Sequence, residues 1–270
     1  MILPHVTQID PLAGIDVRDL GAIPYRAAWA LQEEQRHARA AGTCRDVLLL
    51  CEHPPVITLG RQPCAGDWRA TPATVREAGI DVVETNRGGR MTYHGPGQLV
   101  GYWIVDLSAR QIGIRDFVRM IESLLIATVT AFGIRADRDP LNPGLWVGRE
   151  KLAALGLHVR RGITQHGFAL NYAVDLSHYR YFVPCGLSAH GVTSLHRLCA
   201  TPPPRSALIS ALCHQLQTVV SSPMVGSSPA MPCTTPAGNQ WARYGSSSST
   251  AENVGAMAIA SDVIWTPGSS

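Results

Sequence analysis

The chain has 270 residues, of which 46% are hydrophobic and 16% are charged, and its formal net charge at pH 7 is +3. This length and apolar content predict one large domain or two small ones with a buried core. No run approaches the ~20 apolar residues of a membrane span. The small net charge does not favour nucleic acid as a partner. The first twenty residues hold three Asp and no basic segment before an apolar one, so no signal or transit peptide is predicted and the cytoplasm is the expected compartment.

The first part of the chain alternates helical and strand-like patterns. Apolar residues at helical spacing predict a helix over Pro24–Ala41, and Thr71 followed by Pro72 predicts the start of a short helix that ends at Gly79. Short apolar runs predict strands over Val47–Leu50, Val56–Leu59 and Ile80–Glu84. The glycine-rich segment Arg87–Gly97 is predicted to be a loop.

The second part predicts one long helix among strands. Leu99–Leu107 is typical of a buried strand, and Asp116–Phe132 predicts a helix because its apolar residues share one face and Gly133 follows. Further strands are predicted over Leu145–Val147, Leu152–Val159 and Gly167–Val174. Their connections are too short for parallel crossovers. We therefore expect an α/β (α+β) fold with a mixed, largely antiparallel sheet flanked by helices.

The C-terminal segment differs in composition from the rest. A last amphipathic helix is predicted over Ala207–Val220, and beyond it the chain is rich in Ser and Pro and poor in large apolar residues. Such a composition is typical of disorder. We expect one folded domain over residues 1–220 and a Ser/Pro-rich, disordered tail over residues 221–270.

One cysteine has a context that suggests chemistry. The chain has seven cysteines, an odd number, and no CxxC pair, so neither a disulfide framework nor a zinc ribbon is predicted. Cys185 lies between Pro184 and Gly186, which indicates a turn that exposes the sulfur and frees N–H groups to face an oxyanion. A nucleophilic role is the hypothesis, and a buried small hydrophobic residue is the alternative.

Lys151 is the only lysine among the 23 basic residues of the chain. Arg keeps its proton near neutral pH, whereas Lys can give or take one, so a lysine in an arginine-rich chain suggests a function. The alternative is an accidental surface residue. A free thiol is only a few per cent thiolate at neutral pH, and an ammonium near Cys185 would raise that fraction.

The segment from residue 87 to residue 98 holds four glycines, which let main-chain N–H groups approach a ligand closely. It matches neither a P-loop nor a dinucleotide fingerprint. A binding loop is favoured over a merely structural one, because polar side chains accompany the glycines. His94 and His166 are predicted to lie in glycine-adjacent turns, where a Cys–His pair or a metal site with Cys185 is an alternative. No HxH or HxxxH spacing supports a metal, and none is expected.

Four blocks of the sequence carry a family resemblance. They are Arg87–Gly89 with Thr92–Leu99, Gly148–Lys151 with Ala153–Gly156, His166–Asn171, and Pro184–Gly186 with Val192–Leu195. In this order and spacing they closely resemble the lipoyl(octanoyl) transferases, over a stretch from about Val17 to Leu195. The segment after about Cys199 does not resemble the usual ending of the family.

The resemblance implies the fold of the biotin-protein and lipoate-protein ligases, with the catalytic domain in residues 1–220. It implies transfer of an octanoyl group from octanoyl-acyl carrier protein to a lysine of lipoyl domains, the first step of protein lipoylation, without a cofactor. The family's acyl-thioester cysteine matches Cys185, and its essential lysine matches Lys151. Its substrate-binding stretches match Arg87, Gly88, Gly89, Arg90, Met91, Thr92, Tyr93 and His94, then Ala154, Leu155 and Gly156, then Gly167, Phe168 and Ala169.

The implied acceptors are the lipoyl domains of 2-oxoacid dehydrogenase E2 subunits and the glycine cleavage H protein, with no nucleic acid and no membrane as partner. Two rival functions stay open. An ATP-dependent lipoate or biotin ligase would share the fold but would not need a nucleophilic cysteine between Pro and Gly. A binding module that sequesters lipoyl domains or acyl carriers would need no activated thiol at all.

Overall fold

The computed structural model describes residues 7–12, 14–62, 65–184 and 191–221. Within them the strands are β1 (Thr7–Leu12), β2 (Ile15–Ala22), β3 (Asp46–Glu52), β4 (Val56–Leu59), β5 (Asp81–Glu84), β6 (Met91–His94), β7 (Gln98–Ile104), β8 (Gly144–Val147), β9 (Glu150–Arg160), β10 (Ile163–Asn171) and β11 (Gly191–Val192). The α-helices are α1 (Tyr25–Ala40), α2 (Pro72–Glu77), α3 (Ile114–Thr130), α4 (Leu195–Leu198) and α5 (Arg205–Ser221). Two short 3₁₀ helices span Ala65–Asp67 and Leu176–Tyr181.

The strands form a large sheet and a small one. The large sheet has the order β1-β2-β3-β7-β10-β9-β11, with β8 also paired to β9, and the small sheet has the order β5-β4-β6. In the large sheet only the β2–β3 and β9–β11 pairs are parallel among the described strands. The prediction of a mixed, largely antiparallel sheet is therefore confirmed.

Helices cover both faces of the large sheet. Because side chains alternate along a strand, β3 sends Leu48 into a core that contains Phe117 of α3, whereas Leu49 enters a second core that contains Ala28 of α1. A strand enclosed in this way is apolar along its whole length. This explains why the continuous apolar run of β3 is visible in the sequence.

The predicted helices correspond to α1, α2, α3 and α5, with ends that differ by a few residues. The prediction of a single loop over Arg87–Gly97 is wrong, because Met91–His94 forms β6 and pairs with β4. The predicted bounds of β10 are also wrong: it begins at Ile163 and ends at Asn171, and buried polar residues at its start hide it from an apolar pattern. The strands β1 and β2 were not predicted.

The predicted tail lies outside the described residues, apart from Ser221 at the end of α5. Among the helices that the structure describes, none combines the length and the apolar character that crossing a bilayer demands.

Candidate active site

Glycines from three of the blocks meet where the segment before β6 lies on the large sheet. Gly156 of β9 pairs with Gly167 of β10, and the Gly88 N–H donates to the Leu157 carbonyl of β9 at 2.8 Å. A Cβ on residue 156 would lie 3.2 Å from the Gly88 carbonyl oxygen, closer than side chains normally approach. The structure thus brings together the three stretches that the sequence predicts to bind substrate.

Arg87 ties this segment to the small sheet. The side chain is buried, and its Nε and Nη2 donate to the Thr58 hydroxyl at 3.0 and 2.8 Å. Its Nη1 donates to the Gly88 carbonyl at 3.1 Å. The guanidinium thereby fixes the backbone at Gly88 and also places a positive charge beside the glycines.

The next residues of this stretch are held by neighbours within the protein. Arg90 pairs with the buried Asp67 carboxylate through a 2.8 Å hydrogen bond from Nε. Met91 and Tyr93 are buried in the hydrophobic cluster of the small sheet, and Thr92 is buried too. Substrate contact by these side chains stays a prediction.

The stretches on β9 and β10 divide between the two faces of the sheet. Phe168 lies in the core that contains Phe117 of α3 and covers Gly101 of β7. Leu155 packs against the same core. Ala169 lies in the core on the α1 side, and Ala154, partly buried, is the β9 partner of Ala169. A substrate contact by Phe168 or Leu155 stays a prediction.

Lys151 is buried on β9, with 7% of its surface exposed. Its Nζ donates to the Pro143 carbonyl at 3.3 Å and lies 4.7 Å from the centroid of the Trp146 ring, where the π electrons attract a cation. The alternative of an accidental surface lysine is therefore wrong. Burying an ammonium is costly, and the contacts with the Pro143 carbonyl and the Trp146 ring offset part of that cost.

Cys185 and the five residues after it lie outside the described residues, whereas the chain is described up to Pro184 and again from Gly191. Before it, the Val183 N–H donates to the Asp67 carbonyl at 2.7 Å. After it, Val192 of β11 pairs with Lys151, and the Thr193 N–H donates to the Lys151 carbonyl at 3.0 Å. Val192 and Thr193 thus lie along the backbone of the buried lysine.

Three other cysteines have environments that suppress reactivity. Burial raises the pKa of the Cys51 and Cys44 thiols, and it raises the pKa of Cys213 to about 11. The thiolate is the reactive form, so these three groups are poor nucleophiles at neutral pH.

His53, His94 and His166 form a buried cluster near Arg87. The His53 Nδ1–H donates to the Ile23 carbonyl, and its Nε2 accepts from the Tyr102 hydroxyl, both at 2.7 Å. The His94 ring stacks on Tyr25 at 5.7 Å. The prediction that His94 and His166 lie in turns is wrong, since they are in β6 and β10.

His166 adopts a left-handed backbone, with φ of +61°, inside a strand. This conformation is uncommon for a residue other than glycine. It breaks the alternation of β10, so that Gln165 and His166 both reach α1: Gln165 donates to Glu33 at 3.0 Å, and the His166 ring lies 6.3 Å from that of Trp29. The His166 Nε2–H donates to Asn86 at 2.7 Å.

Burial keeps these imidazoles neutral. It lowers the pKa of His53 to about 4 and that of His166 to about 3, and it lowers the pKa of His94 well below its ordinary value. Neutral rings cannot supply a cation to a thiolate, which disfavours an imidazolium partner for Cys185. Across the part of the chain that the structure describes, no three His, Cys, Asp or Glu side chains are grouped as metal ligands would be.

Comparison with protein-family models assigns the chain to a family. The model of the lipoyl protein ligase A/B catalytic domain matches residues 24–217. The chain belongs to this family. Among its relatives, the octanoyltransferase of Solibacter usitatus is 48% identical over 182 residues, covering 67% of this chain and 82% of that protein. The octanoyltransferase of Geobacter metallireducens is 45% identical over 188 residues, covering 70% of this chain and 85% of that protein.

Solved structures of the family have the same fold. A lipoate-protein ligase A bound with ATP matches with a TM-score of 0.61 at 15% identity, covering 74% of this chain and 83% of that one. A putative lipoate protein ligase from T. acidophilum with bound lipoic acid gives 0.60 at 15% identity, covering 74% and 82%. The predicted family, its fold and its class as an acyltransferase are confirmed.

Residues that no sequence pattern predicted surround the predicted ones. Tyr25 and Tyr102 enclose the histidines, and no spacing in the sequence distinguishes them from other aromatic residues. Glu122 is a carboxylate buried in the apolar run of α3, 4% exposed. A single acid among the apolar residues of a helix is a signal that could have indicated it.

Proposed function

We propose that this chain transfers an octanoyl group from octanoyl-acyl carrier protein to a lysine of lipoyl domains through an octanoyl thioester on Cys185. The observation that carries the proposal is the buried Lys151, whose strand pairs with the segment that follows Cys185. The octanoyltransferase relatives supply the acyl group and the reaction class. Residues 1–220 would form the catalytic domain and residues 221–270 a separate tail.

In the first step the Cys185 thiolate attacks the thioester carbonyl of the carrier. The new C–S bond forms as the carrier C–S bond breaks, and the carrier leaves as a thiolate that takes from the Lys151 ammonium the proton that Cys185 had lost to it. The Lys151 ammonium stabilises the attacking thiolate. Thiol-for-thiol exchange is nearly isoenergetic, so ATP is not required.

In the second step the free amine of the acceptor lysine attacks the octanoyl-enzyme. A C–N bond forms, the bond to Cys185 sulfur breaks, and the amine loses a proton. Lys151 accepts that proton in its neutral form, which becomes accessible once the thiolate has been consumed. One lysine therefore acts as a cation in the first step and as a base in the second.

The octanoyl chain has no polar group beyond its carbonyl. Each buried CH₂ contributes about 0.8 kcal/mol, so chain-length selection requires an apolar slot of limited depth. Gly156 and Gly167 let the backbones of Gly88 and Gly101 approach closely, and we place this slot beside that contact.

The protein partners would be acidic. Arg61, Arg160 and Arg161 are exposed near the end of the β9–β10 hairpin that carries Gly156. The positive charges of Arg61, Arg36 and Arg160 add to burial in lowering the pKa of His158. This positive region suits an acidic acyl carrier and acidic lipoyl domains, those of 2-oxoacid dehydrogenase E2 subunits and of the glycine cleavage H protein, in a salt-sensitive encounter.

Intact-mass analysis tests the proposal. The protein and its Cys185→Ser variant are mixed separately with octanoyl carrier protein, without a lipoyl domain. We expect one octanoyl group on the unchanged protein and none on the variant. If a folded protein gains no acyl group, the cysteine mechanism is wrong. Formation of an acyl-adenylate from free acid and ATP would then indicate a ligase, and carrier binding without acylation would indicate a binding module.

A further inference from the structure

Glu122 of α3 is a buried carboxylate whose two oxygens are both engaged. One oxygen accepts the Gly144 N–H at 3.0 Å, and the other pairs with Arg138 at 3.2 Å. Burial raises the pKa of Glu122 above its ordinary value, and the Gly144 N–H, Arg138, Arg119 and Lys151 offset only part of that rise. These four groups favour the ionised carboxylate against the cost of its burial.

Gly144 lies between the Glu122 carboxylate and the Lys151 side chain. Its φ is +145°, and a Cβ at this position would lie 3.2 Å from the Lys151 Cε and would collide with the Ala153 carbonyl. The backbone at residue 144 therefore lies against the lysine side chain. The preceding carbonyl, that of Pro143, accepts the hydrogen bond from Nζ.

The turn before Gly144 is fixed at several points. The Asp139 carboxylate accepts the N–H groups of Leu141 and Asn142 at 2.8 and 3.1 Å, and the Trp146 indole donates to the Asn142 carbonyl at 3.0 Å. The Trp146 ring lies below the ammonium. Glu122 therefore fixes the end of the turn that offers its carbonyl to Lys151.

We propose that Glu122 is the positioning residue of Lys151: it holds the Pro143–Gly144 turn against the lysine and supplies the buried negative charge that balances the ammonium. The inference rests on the proposed function for the role of Lys151. Glu150, next to Lys151 in the chain, is a poorer candidate because its carboxylate is 41% exposed and pairs with Arg197 at 3.6 Å.

The single lysine of the chain makes the test direct. Protein grown with ¹³C-labelled lysine gives one Cε–Hε correlation in an NMR spectrum, and its pH titration reports the charge of Lys151 without any substrate. In Glu122→Gln the amide oxygen still accepts the Gly144 N–H, but the negative charge is gone. A negative charge favours the charged form of a neighbouring ammonium, and the two groups already interact in this sense, since Lys151 lowers the pKa of Glu122. We expect the titration midpoint of the resonance to fall by at least about 0.5 pH unit.

Two further variants make the result decisive. Glu150→Gln removes an exposed charge that water screens, and we expect a midpoint within about 0.2 pH unit of the unchanged protein. Arg138→Gln removes the cation that competes for Glu122, and we expect the midpoint to rise. Because Arg138 is 43% exposed, this variant serves if Glu122→Gln does not fold.

Equal midpoints for Glu122→Gln and Glu150→Gln, or no rise in Arg138→Gln, would overturn the proposal. In the acyl-transfer assay, the pH–rate profile of amine transfer by Glu122→Gln is expected to move in the same direction as its midpoint, which a purely structural role would not cause. The NMR result does not depend on catalysis. Failure of octanoyl transfer in the unchanged protein would overturn the proposed function alone.

Discussion

The Gly88 carbonyl lies directly over Gly156, where a Cβ would come within 3.2 Å of its oxygen and within 3.4 Å of the Arg87 Cδ. Two segments far apart in the chain, the approach to β6 and the middle of β9, therefore meet at a glycine that leaves no room for a side chain. The meeting is fixed on one side by the hydrogen bond from Gly88 to Leu157 and on the other by the anchoring of Arg87. We propose that this contact forms one wall of the candidate site.

Gly156→Ala tests that wall. The added methyl pushes the backbone at Gly88 away from β9, so we expect octanoylation of Cys185 to slow at least about tenfold, which corresponds to ~1.4 kcal/mol of transition-state stabilisation. The melting temperature should fall only modestly. Gly113→Ala at the start of α3 is the control, since its Cβ meets only the flexible end of Asp116 at 3.4 Å. Equal rates for Gly156→Ala and the unchanged protein would show that the close approach is unimportant.

Thr58→Val tests how Arg87 is held. The substitution keeps the shape of the side chain but removes the hydroxyl that accepts two hydrogen bonds from the guanidinium. Nη2 still donates to the Thr58 carbonyl, but the buried Nε loses this acceptor, which costs about 1–3 kcal/mol, so the free energy of unfolding should fall by that amount in a urea titration. Thr130→Val, which removes an exposed hydroxyl at the end of α3, is expected to change it far less. A similar loss in both variants would contradict this account.

Local patterns in the sequence indicate most of the fold and only part of the site. The apolar face of α3 and the apolar run of β3 are visible because burial on one face or on two leaves a periodic or continuous signal. The sequence does not predict β6 because its glycine-rich flank resembles a loop, although pairing with β4 makes it a strand. The approach of Gly88 to Gly156, and of the Gly144 backbone to Lys151, is set by tertiary packing. No local pattern encodes such distances.

The buried histidines predict acid sensitivity. Their pKa values in the folded protein lie below the ordinary 6.5, at about 4 for His53 and about 3 for His166. The stability that this difference contributes is fully present above pH 6.5 and is lost as the pH falls toward the folded-state values. Each imidazole then costs about 2 kcal/mol between pH 6.5 and pH 5.

Urea titrations at pH 7 and pH 5 measure this loss. His53→Gln should reduce the difference between the two free energies of unfolding by about 2 kcal/mol. His214→Gln, on the exposed side of α5, leaves the three buried rings in place and serves as the control. Equal stability of the unchanged protein at the two pH values would contradict the neutral, buried state of the cluster.

Lys151→Arg separates the two roles assigned to the lysine. Arg keeps a positive charge to stabilise the thiolate but cannot accept a proton near neutral pH. Acylation of Cys185 should therefore fall less than amine transfer, with about a hundredfold between the two losses, or ~2.7 kcal/mol. Single-turnover assays with octanoyl carrier alone, and then with the purified octanoyl-enzyme and a lipoyl domain, measure the steps apart. Lys151→Met, which lacks the charge as well, should impair both steps, and equal losses in Lys151→Arg would refute the division of roles.

The exposed arginines beside the β9–β10 hairpin predict how the carrier binds. Reversing charge in Arg61→Glu and Arg160→Glu together should raise the KM for octanoyl carrier protein about tenfold, or ~1.4 kcal/mol, with kcat nearly unchanged, because rim charges act mainly on encounter. The dependence of kcat/KM on salt should weaken in the same variant. A small octanoyl thioester without a protein carrier should react at the normal rate, which shows that the site is intact. Arg115→Glu of α3 together with Arg76→Glu of α2 reverses two exposed charges elsewhere, the same change of net charge, and is the control. If it raises the KM as much as the variant of Arg61 and Arg160 does, then overall charge, and not this surface, governs the encounter.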